Sequence, residues 1–240
     1  MQNSLFSLLI IAFGVIVFSS CSKQEEATIQ QATLTEEETI EVVQQALGSS
    51  SYGMLMQAEE AAVMADEELS ASILPCGVRY DTTIVRANDP QAVRNYNYVI
   101  NRSFELICNF GVPQEIIVSK TSSGQYTAPR MSSDDSSTFN ASISNLLFGQ
   151  AYIYNGSYTR QGTQTINIRA EKNFESDLTI QTTGLLINKA TRKVVGGSST
   201  FSLTGTNTEG QPFSYVGSIT YNGNGSATLE INGNVYNLQL

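Results

Sequence analysis

Histidine and tryptophan are both absent from this chain of 240 residues. Without histidine there is no ordinary general base near neutral pH, no Ser-His or Cys-His dyad, and no imidazole for zinc, copper or iron. Most familiar hydrolase and metalloenzyme mechanisms are excluded on that ground. Without tryptophan the usual platform for stacking sugar rings is missing. Prolines number only five and no Pro- or Gly-rich linker interrupts the chain, which favours a single main domain. No G-x-S-x-G elbow, phosphate-binding loop or dinucleotide fingerprint is present, and nothing calls for a cofactor. The one Ser-x-x-Lys, Ser20 to Lys23, overlaps a cleavage signal and cannot serve as a catalytic pair after processing.

Positive charge is also scarce: 13 Lys and Arg stand against 22 Asp and Glu, for a net charge of −9. The deficit is local. Residues 22–69 hold 11 acids and one base, Lys23, whereas residues 70–240 are nearly balanced with 12 bases and 11 acids. An acidic arm of this kind is repelled by polyphosphate and by anionic headgroups, so nucleic acid is not an expected partner.

Long hydrophobic runs are missing too. The longest, Leu5 to Phe18, spans 14 residues, which suits a secretion signal and falls short of the roughly 20 residues of a spanning helix. It leads into Phe18-Ser19-Ser20-Cys21, which resembles a bacterial lipobox, with Phe18 in place of the usual aliphatic residue and no Lys or Arg before the run. The following Ser22-Lys23-Gln24-Glu25-Glu26 resembles the export signal of Bacteroidota surface lipoproteins, with Lys23, Glu25 and Glu26 as its charged members. The resemblance implies removal of residues 1–20, lipidation of Cys21, membrane attachment through that lipid, and an outer-membrane address with display at the cell surface.

Residues 21–33 read as a polar tether, and residues 34–240 as one domain of helices and strands. Thr35-Glu36-Glu37-Glu38 is a capping box for a first helix. Ile40, Val43 and Leu47 share its face, and Gly48 is expected to close it in a left-handed conformation. A second helix over about 53–69 offers Leu55, Ala58, Ala62 and Leu69. From Cys76 onward the apolar period changes from 3.6 to 2. The clearest strand is 96–110, and further runs fall at 114–119, 138–146, 150–160, 163–170, 177–187, 198–205, 212–221, 226–231 and 234–239. The expected fold is mainly β: a large curled antiparallel meander of about ten strands with two N-terminal helices packed on it. Asn232-Gly233 as a two-residue turn sets Tyr236 opposite Leu229, and a three-residue loop 222–224 sets Ile219 opposite Ala227.

Candidate functional residues are sparse. Asp81, Glu105, Asp134, Asp135, Glu171, Glu175 and Asp177 are the candidate carboxylates of the strand region. Paired, they would allow a glycan hydrolase, but they are scattered. Asp134-Asp135, in the polar stretch 119–137, lacks the alternating oxygens of a calcium loop, so no metal site is assigned. Tyr152, Tyr154, Tyr158, Tyr215 and Tyr221 either form a sugar-binding platform or pack in the core. Asp81-Thr82-Thr83 resembles a Bacteroidota O-glycosylation acceptor, with Thr82 as the modified residue. The reading that follows is a non-enzymatic envelope protein acting by binding or as structure, with a protein or glycan partner. The alternative is a carrier of lipid or another apolar molecule in a half-barrel, and an open apolar cavity would favour it.

The other two cysteines can be paired from register. Folding the chain back about residue 92 sets Val78 opposite Leu106, Tyr80 opposite Phe104 and Ile84 opposite Ile100, with Arg79 facing Glu105. Cys76 then faces Cys108 within disulfide reach, in an exported protein where such bonds persist. If Cys21 is the lipid site, Cys21→Ser will release the protein from the membrane fraction; a mutant that still sediments with membranes contradicts the assignment.

Overall fold

The computed structural model describes residues 34–71, 75–168 and 170–240, of which 70 and 71 as backbone alone. The signal, tether and export residues, including Cys21, Lys23, Glu25 and Glu26, lie outside the described residues. Residues 33–240 make one compact unit. Two helices, α1 (Glu36–Leu47) and α2 (Met54–Ala71), precede ten strands. These are β1 (Arg79–Ala87), β2 (Asn95–Asn109), β3 (Val112–Thr127), β4 (Met131–Ser144), β5 (Ala151–Asn167), β6 (Glu171–Asn188), β7 (Val194–Asn207), β8 (Pro212–Gly223), β9 (Ser226–Ile231) and β10 (Asn234–Gln239). Every strand pairs with its neighbour in sequence, giving one ten-stranded antiparallel sheet in the order β1 to β10.

The sheet does not close. Strands of this length curl under their own twist, and the inner face that results is stopped by the helices. Arg86 near one edge reaches Glu60 of α2 at 2.9 Å, while Asn232 and Asn234 near the other edge reach Glu36 of α1 at 2.9 and 3.0 Å. On α2, Ala58, Ala61, Ala62 and Ala65 are fully buried, small side chains that let the helix sit deep against the strands. The sheet's inward residues alternate with outward Ser, Thr, Asn and Gln; one outward row runs Thr83, Asn101, Thr121, Thr138, Thr159, Thr179 across six strands.

The capping box forms as expected: Glu38 N–H donates to Thr35 Oγ1, and Thr35 N–H donates to Glu38 Oε2 at 2.7 Å. Gly48, however, is extended (φ −74°, ψ 159°); a short 3-10 turn, Ser49–Ser51, follows, and Tyr52 takes the left-handed conformation at φ 53°. The reason is steric at Gly53, whose Cβ would lie 2.5 Å from Ala46 O. The chain doubles back so tightly there that the reversal falls at Tyr52-Gly53.

Two of the three expected registers hold. β1 and β2 pair with Arg79 opposite Glu105 and Ile84 opposite Ile100, and Cys76 and Cys108 form a disulfide with Cα atoms 5.6 Å apart. Arg79 makes its ion pair with Asp81 rather than across the strands. Asn232-Gly233 turns with both residues left-handed and sets Tyr236 opposite Leu229. At β8–β9 the turn is instead Asn224-Gly225, with Gly223 as a bulge, so Ile219 faces Leu229. Three successive left-handed residues at 223–225 replace the three-residue loop expected at 222–224. The runs 150–160 and 163–170 are one strand, β5, which passes through Gly162 unbroken, and the stretch 119–137 is the β3–β4 hairpin.

The antiparallel order gives the sheet two ends. The disulfide and the β2–β3, β4–β5, β6–β7 and β8–β9 turns lie at one, called the upper end. The other turns, and the start of α1 beside the β9–β10 turn, lie at the lower end.

Candidate functional site

The inner face carries a buried polar system that sequence reasoning did not find. Arg160 projects from β5 and is almost fully enclosed; its Nε lies 3.0 Å from Oδ2 of Asp135 on β4. Its Nη2 donates to Ser51 O at 3.0 Å and to the Tyr98 hydroxyl, and Nη1 donates to Gln45 O at 3.5 Å. The guanidinium lies over the Tyr126 ring, 4.6 Å from its centroid. Tyr98 in turn donates to Asp135 at 3.1 Å. Burial opposes the Arg160 charge, but the surrounding tyrosines and Asp135 hold its pKa well above the usual value. Glycine at 162 is required beside this pair, because a Cβ there would lie 2.6 Å from Asp135 Cα.

A second knot lies nearer β1. Lys120 on β3 is buried and donates to Gln57 O at 2.9 Å, with Glu60 at 3.4 Å. Glu60 also receives Tyr52 at 2.7 Å and Arg86 at 2.9 Å. Burial pushes the Lys120 ammonium down to about 8, because Glu60 offsets only part of the lost hydration and Arg102 and Arg86 add repulsion. Glu60, although penalised by burial, is held below the usual carboxylate range by Lys120, Tyr52 and Arg86. Both knots fasten helix to sheet through polar partners drawn from each, an arrangement suited to fixing geometry.

Space for a ligand lies at the upper end. A pocket of about 500 Å³ opens between the α1–α2 connection, the β6–β7 turn and the β8–β9 turn. Leu47, Leu55, Met56, Val194, Val195 and Tyr221 supply much of its wall, with Glu59 and Lys193 paired at 2.6 Å at its side. A second, wider hollow of about 970 Å³ lies on the outer face of the sheet, where Asp134, Gln161, Glu175, Asp177 and Thr204 line it.

The tyrosines sort themselves between these places. Tyr152, Tyr154, Tyr158 and Tyr221 are buried, and Tyr215 bonds Leu34 O. They form no exposed stacking platform; Tyr221 alone of the five lines the pocket. Inward register accounts for this, since each occupies a core position on its strand. Asp135 points inward to Arg160 while Asp134 points outward, so consecutive residues on a strand cannot share a cation. Among the described residues no group of three or more His, Cys, Asp or Glu is placed to hold a metal. Asp81 pairs with Arg79 on the surface, and Thr82 is exposed on β1. Among the described residues no helix is long and apolar enough to cross a membrane. No family model, curated protein or solved structure matches the chain.

The depressed Lys120 pKa has a measurable sign. Between pH 8 and 10.5 the unfolded chain binds the proton that the folded one has released, so folding stability from this group rises with pH, by up to about 3 kcal/mol. Melting followed from pH 8 to 9, short of the usual tyrosine pKa of about 10, is expected to rise in the parent relative to Lys120→Met. Parallel profiles would contradict the buried ammonium.

Proposed function

We propose that this chain is a lipid-anchored protein of the outer membrane that works by binding rather than by catalysis, and that it holds an apolar molecule in the upper pocket. The pocket's volume, about 500 Å³ with aliphatic walls, is the observation that carries the reading, because it lies in the range of sites that enclose a small ligand. The wall is rigid where a ligand would press on it: Val194 N–H donates to Glu59 Oε1 at 3.3 Å, and Leu240 N–H donates to Gly225 O at 2.7 Å. The interior of the curled sheet offers no such room, since the helices and the two polar knots fill it. A carrier of this build would use its end, not its barrel.

The outer hollow supports a second reading, a surface glycan-binding protein. Its hydroxyl, amide and carboxylate lining is suited to sugar hydroxyls, although its aromatic residue, Phe213, is buried.

Titration with a polarity-sensitive naphthylamine dye, displaced by a long-chain fatty acid, separates the two. The parent is expected to bind both, and Met56→Trp, which fills the pocket from α2, is expected to bind at least about tenfold more weakly with an unchanged melting temperature, a loss of about 1.4 kcal/mol. Absence of dye binding in the parent, with oligosaccharide binding indifferent to Met56→Trp, would move the site to the outer face.

A further inference from the structure

The upper end carries a second unusual feature, independent of the pocket. Five exposed apolar side chains gather there: Val78, Phe110, Val112, Leu147 and Phe148, with Phe110 wholly exposed and Phe148 77% exposed. Register places the two tips on adjoining hairpins. Residues of β3 and β4 pair with numbers summing to 259, as in Glu115 with Ser144, and extending that ladder sets the Phe110-Gly111 turn level with Phe148-Gly149 on the next hairpin.

These tips are built to hold the rings out. Phe110 adopts φ 49° at the first position of its turn, a conformation that Asn or Gly takes readily and a bulky aromatic takes at a cost. The disulfide ends two residues before it, at Cys108. The β4–β5 loop is pinned by Lys189, which donates to Leu146 O at 3.0 Å and Phe148 O at 2.6 Å, and by Asn145, which donates to Ala151 O at 2.7 Å. Strain and scaffolding spent on exposing an aromatic ring point to something that receives it.

The chemistry around the rings identifies the receiver. No Asp, Glu, Lys or Arg occurs in residues 106–114 or 136–159, the two adjoining hairpin ends, and the ammonium that reaches them, Lys189, is already bonded to the carbonyls of Leu146 and Phe148, so shallow entry of the rings into hydrocarbon strips no charge from these segments. The rings stand on narrow protruding tips, and so do not offer the broad face of roughly 800 Å² per partner that a stable protein interface needs. A fluid apolar phase needs no matching surface.

We infer that the Phe110 and Phe148 tips insert into the interfacial region of a lipid bilayer, placing the upper end of the sheet against it. The inference does not rest on the pocket reading, but the pocket opens at the same end, so an apolar ligand would enter it directly from the bilayer. The first described residues of the chain lie at the lower end, away from these tips.

The absence of tryptophan makes the test direct. Single probes, Phe110→Trp and Phe148→Trp, with Val216→Trp on the outer face as control, are placed in the full chain. Each is mixed with vesicles of phosphatidylethanolamine and phosphatidylglycerol, with and without brominated acyl chains. Both tip probes are expected to shift to the blue on vesicles and to lose about half their emission to brominated lipid, while the control does neither, since interfacial aromatics sit at the acyl boundary. Adding Phe110→Asn to the Phe148→Trp chain is expected to reduce the quenching without lowering the melting temperature, because Asn suits the left-handed turn. Tip probes that behave as the control does on protein-loaded vesicles overturn the inference. Probes already blue-shifted without lipid and unquenched by it also overturn it, and assign the tips to a protein contact.

Discussion

A single guanidinium, that of Arg160, sits where the sheet and the helices meet, and the architecture depends on it. An open meander has no means of covering its own inner face, so it needs an insert, and the insert needs an attachment stronger than apolar contact between alanines. Arg160 supplies one. It faces Asp135 across one strand pair and donates to the carbonyls of Gln45, in the last turn of α1, and Ser51, at the end of the 3-10 turn. Cations are favoured at a helix C-terminus because unpaired carbonyls collect there. A pair of this kind adds little to stability by itself, but removing one member strands a buried charge at a cost of several kcal/mol.

From that attachment the distribution of free space follows. The Arg160 knot fixes the end of α1, the Lys120–Glu60–Tyr52 knot fixes the start of α2, and between them the tight turn at Tyr52-Gly53 is drawn into the sheet. The middle of the half-barrel is consequently solid. What remains open is the upper rim, where the β8–β9 turn bulges through three left-handed residues beside the α1–α2 connection. The pocket is a consequence of where the insert stops.

The fold was largely legible in the sequence because its determinants are local. The capping box at Thr35 and Glu38, the two-residue turn at Asn232-Gly233 and the apolar alternation that pairs Cys76 with Cys108 each rest on residues close in the chain or on one register. The site was far less legible. Arg160 and Asp135 lie in polar stretches that read as solvated surface, and only the curl of the sheet turns them inward. Gly162 reads as a strand break, yet it is a close-approach glycine beside Asp135. The tyrosines that suggested a platform occupy inward positions for the same reason. Phe110 reads as the last apolar residue of the 96–110 alternation, yet the strand ends at Asn109 and the ring is wholly exposed in the turn; Phe148 gave no signal, since its alignment with Phe110 needs two adjoining registers at once. The β8–β9 turn was placed wrongly because Asn222-Gly223 and Asn224-Gly225 are equally good turn formers, and the choice between them is made by pairing further along.

Hydrogen exchange on the double variant Arg160→Met/Asp135→Leu tests most directly whether this pair holds the insert, because removing both members strands no charge. The account predicts that amides of α1 and the 3-10 turn lose protection at least about tenfold more than amides of β4, β5 and β6, as expected when one cooperative unit is released from another. Equal loss across helices and strands, or no loss in either, would contradict it.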